Sequence, residues 1–192
     1  MSEKILLSEN VLLVDAAFLN FVTSDLKRYF EPLLKRQLPD IDFSELSTYL
    51  ALDANIAEGK NEIQTLLVYD DESAALANCR PSDLKEELNG VAFTNQFGEF
   101  SFASVPCADM VSREDLYLDL LHIVLDSADV KKLILISFNE EYGAKVTEAL
   151  KDVQGKEIVQ FRMNEPEEVV NYQWEMLAYP VMQAFGIKGE EL

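Results

Sequence analysis

Three apolar runs in this sequence stop on side chains rich in oxygen: VLLV on Asp15, LLVY on Asp70 and Asp71, and LILISF on Asn139, Glu140 and Glu141. Each run has the length and aliphatic content of a strand buried on both faces. In an open parallel sheet the ligand site lies beyond the carboxyl ends of the strands, where the strand order reverses. Carboxylates meeting there suit a hard divalent cation such as Mg²⁺ or Mn²⁺, which activates water or stabilises a phosphoryl transition state. The same residues also suit helix caps and solvent-facing corners, an ordinary use of acids at strand ends.

Hydrophobic periodicity supplies the elements that would carry these residues. NVLLVD (10 to 15) reads as a strand, and Phe18, Val22, Leu26, Tyr29 and Leu33 then recur at helical spacing. A second helix begins near the capping residues Asp42 and Ser44 and runs toward Gly59; a strand over 63 to 71 follows. After Pro81, PSDLKEEL is a short capped helix, and VAFTNQFGEFSFASV is a hairpin about Gly98. SREDLYLDLLHIVLDS (helix), KKLILISF (strand), EEYGAKVTEALKDV (helix) and KEIVQFRM (strand) complete the alternation. Parallel neighbours need crossover connections, so the expected fold is α/β, a three-layer α/β/α domain with a mostly parallel sheet of about five strands and the first strand central. Residues 1–165 form this domain. Residues 166–192 are expected as a C-terminal helical appendage packed on it, kinked at Pro180, with Val170, Trp174, Leu177, Val181 and Phe185 along one stripe. Packing on its own domain covers that stripe; a protein partner or a second copy of the chain is the other way to cover it.

Composition narrows the function classes. The 192 residues include 16 basic and 35 acidic side chains, a net charge of −19 that repels polyanions and argues against nucleic acid as a partner. Lys27, Arg28, Lys35 and Arg36, with Lys131 and Lys132, are the cations that phosphate would use, and they suit a solvated helix face and a strand start equally well. No apolar run reaches the ~20 residues of a membrane span, and ILLSENVLLVD, charged and leading straight into a strand-helix unit, does not read as a signal peptide. A cytoplasmic protein is expected. Cys79 and Cys107 lack metal-ligand spacing and are expected as reduced thiols. His122 is the single histidine; with Asp115, Asp119 and Asp126 it forms a stripe read as the polar side of its helix, Ser112 capping the start. No GxGxxG, GxxxxGK[ST] or GxSxG run occurs, which removes the motifs of dinucleotide, P-loop and α/β-hydrolase sites.

VLLVDAAFLN, followed later by REDLYLDLLHIVLDSADVKKLILISFNEEYGAKVTEAL, resembles the NYN branch of the PIN-like metal-dependent ribonucleases. In that family an Asp ends the first strand, an Asp opens the third crossover helix, and a Ser-Gly-Asp-x-Asp-Phe run ends the fourth strand. The resemblance implies a PIN/Rossmann-like sheet and site positions at Asp15, Asp115, Asn139 and Glu141, with Ser137, Phe138, Glu140 and Tyr142 along the last run. Asn139 and Glu141 replace the two family acids there, and Phe18 stands where the family often has Asn. One negative charge lost at ~4 Å from a cation removes on the order of 4 kcal/mol at an effective dielectric of about 20. The expectation is therefore a PIN/NYN-like domain with a degenerate active site, non-catalytic and without a cofactor, acting as a protein-interaction or regulatory module. The alternative is a ribonuclease for single-stranded or structured RNA that holds Mg²⁺ or Mn²⁺ on Asp15 and Glu141, with Asp70 or Asp115 completing the site and Asn139 orienting water or metal.

Overall fold

A computed structural model describes residues 6–192; residues 1–5 of the expected domain lie outside it. The first strand β1 (Asn10–Asp15) is followed by α1 (Ala16–Leu34), a two-residue strand β2 (Ile41–Asp42), α2 (Phe43–Asp53) and β3 (Asn61–Tyr69). Then come β4 (Cys79–Arg80), a helical turn at Leu84–Leu88, and the hairpin strands β5 (Ala92–Asn95) and β6 (Gly98–Pro106). The second half contains α3 (Arg113–Asp126), β7 (Lys132–Ile136), α4 (Asn139–Leu150), β8 (Glu157–Arg162), β9 (Gln173–Met176) and α5 (Ala178–Ala184).

Among the described residues seven strands form one sheet in the order β5-β6-β3-β1-β7-β8-β9, and β2 pairs with β4 in a small second sheet. All pairings in the large sheet are parallel except the β5–β6 hairpin. The first strand lies at the centre. Alternate residues of β1 enter opposite cores: Leu12 and Val14 pack with Phe18, Leu19 and Val22 of α1, Leu46 and Leu50 of α2, and Val181 of α5. Val11 and Leu13 pack with Tyr117, Leu121 and Val124 of α3 and with Val146 and Leu150 of α4. Burial on both faces is what makes NVLLVD read as an unbroken apolar run.

The sheet exceeds the expected five strands, because both hairpin arms join it and because β9 adds a strand on the other side. The terminal helix corrects accordingly: residues 173–176 are extended and pair with β8, the α-helix is confined to Ala178–Ala184, and a 3-10 turn follows at Gly189–Glu191. β8 would otherwise present an open edge of unpaired backbone groups, and QWEM satisfies it. Leu177, Val181 and Phe185 are fully buried, so most of the stripe is consumed by its own domain. The second helix also stops early, at Asp53, where Asn55 adopts a left-handed conformation. Lys132, a candidate phosphate contact, is buried and its ammonium donates to the carbonyls of Ala54 and Asn55. No helix among the described residues is long and apolar enough to cross a membrane.

Candidate functional site

The chain runs outward from β1 to β3 and β6 on one side, then crosses over to β7, β8 and β9 on the other. Strand order reverses at β1, and the carboxyl ends of β1, β3 and β7 surround one crevice. Asp15 ends β1, Asp70 follows β3, and Glu141 lies in the first turn of α4 directly after β7. The three acids meet in this crevice.

What they converge on is an arginine. Arg113, the first residue of α3, extends its guanidinium into the crevice: Nε donates to Asp15 Oδ2 at 3.0 Å, Nη1 to Asp70 Oδ2 at 2.7 Å, and Nη2 to Glu141 Oε2. Its side chain is 12% exposed. The ring of Phe138 lies 5.5 Å from the guanidinium carbon, close enough for a cation–π contact. Phe138 in turn packs on Phe18 at 5.1 Å and Phe21 at 5.7 Å between ring centroids. Phe18, where the resemblance places an asparagine, therefore builds an apolar wall.

Two of the acids use one oxygen as a cap and the other as a charge partner. Asp15 Oδ1 accepts from the backbone N–H groups of Ala17 and Phe18 at 2.9 and 3.2 Å, closing the start of α1. Its Oδ2 accepts from Arg113 and from the Tyr142 hydroxyl, and the side chain is 0% exposed. Asp70 Oδ1 likewise accepts from the N–H groups of Glu72 and Ser73 and from the Ser73 hydroxyl, while Oδ2 faces Arg113. Capping and site-building, alternatives in the sequence, are thus combined in the same side chains.

Tyr142 reaches Asp15 because α4 is kinked there, with φ −145° and ψ 23° at Tyr142. Burial first, then the nearby Tyr117 and Asp15, pushes its hydroxyl far above the ordinary tyrosine range, so it stays a proton donor. Burial opposes the charge on Arg113, but Asp15, Asp70 and Glu141 together outweigh that and raise its pKa further. The guanidinium is charged at every accessible pH.

A divalent cation does not fit this arrangement. Mg²⁺ needs oxygens at about 2.0–2.1 Å in octahedral geometry. Both oxygens of Asp15 are committed to four donors, which fills a carboxylate's lone-pair sites. The guanidinium already provides the positive charge that the acids would otherwise seek.

The other expected residues are placed apart. Asp115 is exposed on the solvent side of α3, its backbone N–H donating to Ser112 Oγ as part of the cap, and it makes no contact with the three acids. Asp119, His122 and Asp126 are exposed too, as the polar-face reading requires. Asn139 Oδ1 accepts from Ser137 Oγ at 2.8 Å and does not touch Arg113.

Arg113 itself was missed, although a local signal existed. A positive charge in the first turn of a helix opposes the helix dipole, so an arginine directly after the Ser112 cap calls for an external acid.

Asp70 also sets a pH dependence. Burial works against its charge, but hydrogen bonds from Ser73 and Arg113 prevail and hold its pKa below the ordinary 3.8. A folded value below the unfolded one means stability that is complete above about pH 4 and is lost as pH falls through the folded value. Stability measured by urea denaturation from pH 6 down to 2 is expected to fall below pH 4, and Asp70→Asn is expected to flatten that fall while lowering stability at neutral pH. An unchanged acid limb in Asp70→Asn would contradict the assignment.

A family model described as a family of unknown function (DUF6621) matches residues 4–192. No curated protein and no solved structure matches the chain.

Proposed function

The chain belongs to the DUF6621 family, and we propose that it is a non-catalytic PIN/NYN-like domain, three-layered around its sheet, that acts by binding protein. The observation that carries this reading is Arg113, whose three nitrogens each engage one of the acids at the switch point of the sheet. In a metal-dependent ribonuclease those carboxylates would coordinate the ion that activates water. Here a side chain supplies the charge permanently, and it offers neither a Lewis-acid site nor an ionisable water.

A binding role is supported by the outer face of α1. Phe21, Tyr29 and Leu33 are exposed along it, 52%, 65% and 57%, with the exposed Arg28 beside Tyr29 in the chain. Tyr179 of α5 is exposed as well. Large apolar side chains exposed on one helix are usual anchors of a protein contact.

Single-stranded RNA incubated with Mg²⁺ or Mn²⁺ tests the first half of the reading. No cleavage is expected from the parent, and none from Asn139→Asp, because restoring that acid leaves Arg113 in place. Cleavage by the parent that vanishes in a folded Asp15→Asn protein would establish the ribonuclease instead. Gentle affinity capture from the native cytosol, comparing the parent with a Phe21→Ser, Tyr29→Ser, Leu33→Ser triple variant, tests the second half. A partner or oligomer that the triple variant loses is expected; recovery of neither with the parent would count against a binding role.

A further inference from the structure

We propose that the cleft between α4 and the segment after β8 binds a small zwitterion of amino-acid or dipeptide size, its carboxylate on Arg162 and its ammonium among Glu148, Glu167 and Glu168. The cleft measures about 480 Å³, within the range of small-molecule sites, and lies at the carboxyl end of the sheet beside the Arg113 crevice. One wall is the face of α4 bearing Asn139, Gly143 and Thr147, one residue per turn; Pro166 and Val170 face it. Gly143 leaves that wall without a side chain at its centre.

Arg162 is the last residue of β8, half-buried, and is held only by neutral acceptors. Its Nε donates to the Asn164 carbonyl at 3.0 Å and its Nη1 to Gln160 Oε1 at 3.1 Å. Among the described residues no carboxylate approaches it within 4.0 Å. In a chain of net charge −19 an arginine without an acid is conspicuous, and Arg113 with its three acids shows the contrast.

The support beneath Arg162 is rigid. Gln160 is completely buried; its Oε1 also accepts from the Tyr172 hydroxyl at 3.2 Å, and its Nε2 has no partner among the described residues. A buried amide with an unpaired N–H costs free energy, which is offset if it fixes a functional neighbour. The guanidinium is therefore preorganised and uncompensated, the two properties that favour a carboxylate ligand. Asn139, whose Oδ1 is taken by Ser137, leaves its amide N–H group to the same cleft.

The rim selects against a simple anion. Glu148, Glu167 and Glu168 are exposed around the opening, so an anion alone is repelled, and a cation alone meets Arg162. A molecule with a carboxylate at one end and an ammonium at the other satisfies both.

Glycylglycine and β-alanine are suitable probes, with N-acetylglycine and ethanolamine as arms that each lack one charge. Titration followed by amide chemical shifts is expected to show saturable binding of at least one zwitterion, with shifts centred on Thr147 and Val170. Arg162→Met is expected to weaken it about tenfold or more, and Arg162→Lys less, since lysine keeps the charge without the fork. Glu167→Gln with Glu168→Gln is expected to weaken the zwitterion and leave N-acetylglycine unaffected or tighter. No saturation by either zwitterion up to about 50 mM, where a millimolar site is filled, would overturn the proposal. So would equal affinity in a folded Arg162→Met protein, or N-acetylglycine binding as tightly as the zwitterions.

Discussion

Replacing Arg113 with methionine is expected to lower stability by about 3–5 kcal/mol at neutral pH, the range for breaking one side of a buried ion pair. Asp15 is 0% exposed, and without the guanidinium its Oδ2 keeps only the Tyr142 hydroxyl while Asp70 and Glu141 remain close by. The loss is mostly the penalty of an uncompensated buried charge beside two like charges. For that reason Arg113→Met combined with Asp15→Asn is expected to be less destabilised than the sum of the two single changes. Arg113→Lys is expected to recover little, because one ammonium cannot present separate nitrogens to acids arriving from three elements. Urea denaturation of the parent and the four variants measures all of this. A loss below about 1 kcal/mol in Arg113→Met would mean that the pair is solvated like a surface bridge and holds nothing together.

Gly98→Ala is expected to cost about 3 kcal/mol or more and to release the hairpin from the sheet. Gly98 opens β6 with φ +131°, and a Cβ there would sit 2.0 Å from the Asn61 carbonyl oxygen and 2.6 Å from its nitrogen. Both atoms belong to the backbone of β3, paired with Gly98 in register, so neither retreats without breaking the ladder. Gly90→Ala provides the contrast: its φ is +80°, but nothing lies within 4 Å of the added carbon. Only backbone strain of about 1–2 kcal/mol is expected there. Thermal denaturation ranks the two, and hydrogen exchange across residues 92–106 locates the damage. Equal losses at both positions would show that conformation rather than contact governs Gly98.

Elements whose stability is local can be read from the residues alone. NVLLVD, the caps at Asp15, Asp42 and Ser112, the hairpin about Gly98 and the polar face of α3 were all legible, because each depends on side chains within about one turn or one register step. That Asp15, Asp70 and Glu141 lie at a common edge was legible too, since strand ends in a parallel sheet do, but not that all three turn inward. Tertiary structure decided what occupies the space between them. Arg113 stands 98 residues from Asp15 and 28 from Glu141 along the chain, and its role depends on α3 starting above the switch point. Residues 173–176 have the spacing of a helix, yet the open edge of β8 offers them backbone partners that an isolated segment lacks. Lys132 likewise looked like a surface cation until α2 placed its terminal carbonyls over it. Periodicity records which face of an element is buried; which distant charge meets which is set by strand order, and no local pattern encodes it.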